Sequence, residues 1–80
     1  MPTVLRLAGY RFYFYSHEPN EPPHIHVDMG GGTAKFWLTP VSLSRSGGLS
    51  AEELNRLHRL VRDRQAHFLE AWHGFFGTHR

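Results

Sequence analysis

The stretch from Glu21 to Leu38 restricts the fold of this chain more than any other. Glu21-Pro22-Pro23 enters it as an extended segment. Proline fixes φ and disfavours the helical region for the residue before it. From His24 the residues alternate, so His24, His26 and Asp28 share one face and Ile25, Val27 and Met29 share the other. Gly30-Gly31-Gly32 supplies a turn, and Thr33 to Leu38 alternates again. Ala34, Phe36 and Leu38 take one face, and Thr33, Lys35 and Trp37 the other. A two-residue turn pairs apolar face with apolar face, whereas a direct three-residue turn mixes them. Turning at Gly30-Gly31 sets Lys35 opposite His26; turning at Gly31-Gly32 sets it opposite Asp28. Either way Lys35 joins the histidine face. At ~3.3 Å per residue the two histidine Cα atoms are about 6.5–7 Å apart, within reach of one shared ligand.

The rest of the chain supports an antiparallel sheet and a helix. Residues 3–7 and 10–16 read as strands around an Ala8-Gly9 turn. Tyr10, Phe12 and Phe14 share one face of the second; Arg11, Tyr13 and Tyr15 share the other. Residues 17–23 form a polar loop with prolines. Beyond Pro40, residues 41–45 read as a short edge strand. Ser50 and Glu53 form a capping box that opens a helix over residues 51–73. Leu54, Leu57, Val61, Phe68, Trp72 and Phe75 keep helical spacing, with one gap near Gln65. The expectation is a single α+β domain over residues 1–80. Its small antiparallel sheet of about four strands, over 3–7, 10–16, 24–29, 33–38 and 41–45, is packed by one long C-terminal helix. The helix covers one sheet face and leaves the histidine row on an uncovered one.

Composition narrows the function classes. Cysteine is absent, which removes disulfides and thiolate zinc sites and fits a reducing cytoplasm. A leader and an 18-residue apolar run are both missing, so neither secretion nor a membrane span is expected. A net charge of +2 is too small by itself to imply nucleic-acid binding. Histidine is the anomaly, with seven in eighty residues.

Three chemistries compete for the histidine face. A metal site uses His24 and His26 with Asp28, His17 or Glu21 as third ligand, and is opposed by the ammonium of Lys35. A metal-free phosphodiester site uses one histidine as base and the other as acid, with Lys35 or Arg11 stabilising phosphoryl charge. It requires neither metal nor cofactor. The catalytic candidates are then His24, His26 and Lys35. Arg11, Tyr13, Tyr15, Asp28 and Trp37 are candidates for substrate binding, the aromatics by stacking on bases. The third is structural: histidines that hydrogen-bond a loop, and cross-strand aromatics that stabilise the sheet or a dimer contact.

Met1-Pro2-Thr3, Pro22-Pro23-His24-Ile25-His26-Val27 and Leu69-Glu70-Ala71-Trp72 together resemble a small bacterial family known as domain of unknown function 4160. The resemblance spans nearly the whole chain, with Pro22, Pro23, His24 and His26 as its signature. Ala66-His67-Phe68 departs from a more acidic pattern. The resemblance implies a compact prokaryotic protein encoded beside another small protein, in an arrangement like a toxin–antitoxin pair. The expected function is therefore action on RNA or a translation component through a co-facial His/His/Lys site. The alternative is a non-catalytic interaction module, antitoxin-like or dimerising. The partners expected are the neighbouring-gene protein, RNA and a second copy of the chain.

Overall fold

The computed structural model describes residues 3–15 and 20–77. Five strands form one antiparallel meander: β1 (Thr3–Leu7), β2 (Tyr10–Tyr13), β3 (His24–Met29), β4 (Gly32–Leu38) and β5 (Val41–Gly47). Two helices follow, α1 (Ala51–Asp63) and α2 (Gln65–Phe76). The class is α+β, as the patterning indicates. The sheet has five strands rather than four, because residues 41–47 pair with β4 on both sides of an irregularity at Ser44. The second strand is shorter than residues 10–16. Phe14 and Tyr15 lie beyond its end, and Ser16 lies outside the described residues.

Of the two hairpin registers open to the central segment, the chain adopts the one with Gly30-Gly31 as the turn. Met29 then faces Gly32, and His26 faces Lys35. The space around Gly32 explains the choice. A Cβ there would stand 2.9 Å from the Gly48 carbonyl oxygen and collide with the Leu49 side chain. Gly32 is therefore fixed as a packed strand residue, and Gly30 and Gly31 are left to reverse the chain.

One sheet face carries the core. Phe12, Ile25, Val27, Phe36 and Leu38 are buried against Leu57, Val61, Phe68 and Trp72 of the helices. Phe12 and Phe68 stack at 5.3 Å between ring centroids. Burial of each such side chain contributes roughly 1.5–3 kcal/mol.

The helix opens as the sequence indicates. The Ser50 hydroxyl accepts from the Glu53 N–H, and the Glu53 carboxylate accepts from the Ser50 N–H. The single long helix expected over 51–73 is interrupted, however, at Arg64 (φ −115°, ψ 19°). Backbone hydrogen bonds continue across the break, from the Arg64 N–H to Leu60 and from the Phe68 N–H to Arg64. The break falls at the gap in the apolar spacing. There the Gln65 side-chain amide donates to the Leu38 carbonyl at the end of β4. A polar residue in the core stripe is satisfied by a sheet carbonyl beside the residue where the helical backbone is interrupted. Phe75, counted in the apolar stripe, is 48% exposed. Among the described residues no helix is long and apolar enough to cross a membrane.

Candidate functional site

The second sheet face brings the sequence-derived residues together. Opposed residues in an antiparallel pair project to the same side. The cross-strand rows are Tyr13–His26–Lys35, Arg11–Asp28–Thr33 and His24–Trp37. This face is not uncovered, as expected from the sequence, but largely buried. His24 is 0% exposed, His26 4% and Lys35 5%. Tall aromatic neighbours account for much of this. His26 stacks on Tyr13 at 5.4 Å and meets the edge of Tyr15 at 4.7 Å. His24 lies 4.8 Å from Trp72 and 5.7 Å from Trp37. Trp72 also packs on Phe14, so α2 reaches past the core to cover His24.

On β2, β3 and β4 the charged groups of this face have defined partners. The His24 Nδ1–H donates to the Pro22 carbonyl at 3.0 Å. A carbonyl only accepts, which assigns the proton to Nδ1. Lys35 Nζ donates to Glu21 Oε1 at 2.7 Å and lies 4.5 Å above the Trp37 ring. The same Glu21 oxygen is 3.6 Å from His24 Nδ1. Tyr13 Oη donates to Asp28 Oδ1 at 3.0 Å, and the Arg11 guanidinium lies 4.5 Å over the Tyr13 ring. The Tyr13 phenol is pushed well above its ordinary pKa, first by burial, then by hydrogen bonding to Tyr15 and to Asp28. It stays neutral and serves as a donor.

Arg45 is the residue that simple alternation misplaces. Along β5 the pairing passes from Leu43 opposite Phe36 to Arg45 opposite Lys35, so Ser44 is an extra residue in a β-bulge. Strict alternation would put Arg45 with Leu43, on the core side. The bulge turns it to the Lys35 side instead. A bulge leaves no clear mark in a sequence; the serines at 42, 44 and 46 and Gly47 are the only hint. Arg45 is exposed and makes no hydrogen bond or ion pair among the described residues.

These groups enclose a surface cavity of about 280 Å³. Tyr13, Tyr15 and His26 form one wall. Thr33, Ala34 and Lys35 form the floor, and Arg45, Ser46 and Gly47 the far wall. Of the sequence-derived residues, His26, Lys35, Tyr13 and Tyr15 line it. Arg11, Asp28, Trp37 and His24 are not among its lining residues. Two cations beside two aromatic rings suit an anionic group joined to a flat one. Among the described residues no three His, Asp or Glu side chains form a group able to hold a metal. His17, one of the third ligands considered, lies outside them.

Comparison with protein families finds a match over most of the chain. The model described as "Domain of unknown function (DUF4160)" matches residues 9–73. The chain belongs to that family. This DUF4160 chain matches no curated protein and no solved structure. The family match includes the Pro-Pro-His-x-His segment, both helical cores and all nine cavity residues.

Proposed function

We propose that this DUF4160 protein is the RNA-directed member of a toxin–antitoxin-type pair, working in the cytoplasm, and that the cavity beside His26 holds a single-stranded RNA segment. The observation that carries the reading is the cavity itself, with Lys35 on its floor, Arg45 on one wall and His26, Tyr13 and Tyr15 on the other. Arg45 meets a phosphate first because it is exposed. Tyr15 offers a stacking surface, and base–aromatic stacking contributes ~1–3 kcal/mol per base. The geometry favours binding over cleavage by a histidine pair. Acid–base catalysis needs each proton-transfer group within hydrogen-bond reach of substrate. The His24 side chain is fully buried, so His26 is the histidine that can approach a bound phosphate. In this reading His24 is a positioning residue, and Asp28 and Arg11 hold Tyr13.

Fluorescence polarisation with a labelled single-stranded oligoribonucleotide tests the reading. Wild type binds, and Arg45→Ala and Tyr15→Ala weaken binding at least tenfold, with the affinity falling as salt rises. Induced expression arrests growth, and the arrest is relieved by the same substitutions when both proteins accumulate. RNA binding that ignores Arg45 and Tyr15 would sink the proposal.

A second reading, partner binding by strand addition, draws support from β5. It is one of the two edge strands of the sheet, the other being β1, and its Leu43 is 42% exposed. β5 also forms the far wall of the cavity, so a neutralising partner strand laid along it would sit at the cavity's lip. Light scattering of the chain alone and with its neighbouring gene product checks this. A strict monomer indifferent to that product counts against it.

A further inference from the structure

The Glu-Pro-Pro-His segment has a geometry that the cavity alone does not explain. His24 is fully buried and spends its Nδ1–H on the Pro22 carbonyl. The Pro23 carbonyl accepts the Leu38 N–H at 3.1 Å, which ties the same segment to the end of β4. Two consecutive prolines between these anchors leave the backbone little freedom. The residue immediately before them is Glu21. Its side chain is 43% exposed, yet its carboxylate is held 2.7 Å from the Lys35 ammonium, which is almost wholly buried. A half-exposed glutamate is therefore delivered by a rigid arm to the buried ammonium of Lys35, a residue that lines the cavity while Glu21 and Trp37, which hold its charge, do not.

We propose that Glu21 is a built-in counter-ion for Lys35 that holds the ammonium outside the cavity and releases it to a phosphate oxygen when an anionic ligand enters, so that the site stays closed to weakly charged anions. The proposal rests on the reading of the cavity as a phosphate site, and adds the element that regulates it. The chemistry of the exchange is simple. A carboxylate oxygen and a phosphoryl oxygen are both charge-assisted acceptors for one ammonium. Glu21 is tethered, so it competes as an intramolecular ligand at a fixed effective concentration. A ligand displaces it only if it gains elsewhere, and Arg45 across the strand pair is the cation able to supply that gain. Phosphate esters that reach both Arg45 and Lys35 are admitted, whereas monovalent carboxylates are not. His24 and the two prolines act as positioning residues for Glu21. This gives the Pro22-Pro23-His24 signature a role that the burial of His24 permits.

The test uses inorganic phosphate as probe and two-dimensional NMR of the full chain, following the Trp37 indole and Lys35 amide signals. In Glu21→Gln the phosphate midpoint falls about tenfold relative to wild type, the size expected when one charge-assisted competitor is removed. Lys35→Met abolishes the response in either background. Acetate at the same ionic strength moves the signals in Glu21→Gln and not in wild type. Glu21→Asp, which shortens the arm by one methylene, gives an intermediate midpoint and serves if the glutamine variant does not fold. Equal midpoints in wild type and the Glu21 variants overturn the inference, as does no phosphate response in any of them. Phosphate tightening without any RNA binding would leave the counter-ion intact and reject the RNA reading instead.

Discussion

Removing the Glu21 carboxylate should destabilise the fold through one identifiable interaction. Lys35 Nζ is 2.7 Å from Glu21 Oε1, and the lysine side chain is 6% exposed. Glu21→Gln leaves that ammonium buried beside the Trp37 ring with a neutral amide in place of the anion. Loss of one partner of a fully buried pair costs ~3–5 kcal/mol. Glu21 is 43% exposed, so water screens part of the interaction, and a cost of about 2 kcal/mol is the reasoned value. For a domain of this size that corresponds to a fall in Tm of ~8–16 °C. Lys35→Met keeps much of the volume and removes the charge that needs a partner, so it should cost less than ~1 kcal/mol. The double mutant isolates the pair. In the Lys35→Met background the glutamine substitution should cost about 2 kcal/mol less than in wild type. Urea unfolding of the four proteins measures the coupling. A coupling below ~0.5 kcal/mol, the ordinary scatter of independent sites, refutes the reasoning.

Three further outcomes follow from the structure. The Tyr13 phenol has a raised folded-state pKa, so its contribution is complete below the unfolded value of about 10 and is lost as pH rises above it. Tyr13→Phe should therefore flatten the alkaline limb of stability against pH above about pH 10, measured by thermal melts. Gly32→Ala should cost at least ~2 kcal/mol in urea unfolding, because its Cβ meets the Gly48 carbonyl and the Leu49 side chain. Ser50→Ala removes one half of the capping box and should cost about 1 kcal/mol by the same measurement.

The sheet was legible in the sequence where alternation and burial agree. Ile25, Val27, Phe36 and Leu38 had to share a side, and that alone brought His26 and Lys35 to the other side. The choice between two turns was not legible, because it depends on the approach of Gly48 and Leu49 to Gly32, residues far along the chain. The helix break was visible as a gap at Gln65, but its partner, the Leu38 carbonyl, was not. The burial of the histidine face was not legible either. Period-two patterning says which way a side chain points, not how high its neighbours stand. Tyr13, Tyr15, Trp37 and Trp72 rise beside the shorter imidazoles, and Trp72 comes from the helix layer. Arg45 escapes a reading by alternation because a single inserted residue, Ser44, reverses the facing of everything after it.

The claim that the cavity beside His26 is where RNA binds is tested most directly by mapping a single-stranded oligoribonucleotide onto the amide signals of the chain. The largest shifts are predicted at Lys35, Arg45, Ser46 and Gly47, with Tyr15 and His26 following, and saturation at one equivalent of RNA. Shifts confined to α1, around its exposed residues Arg59 and Arg62, with the β5 signals unmoved, would contradict it.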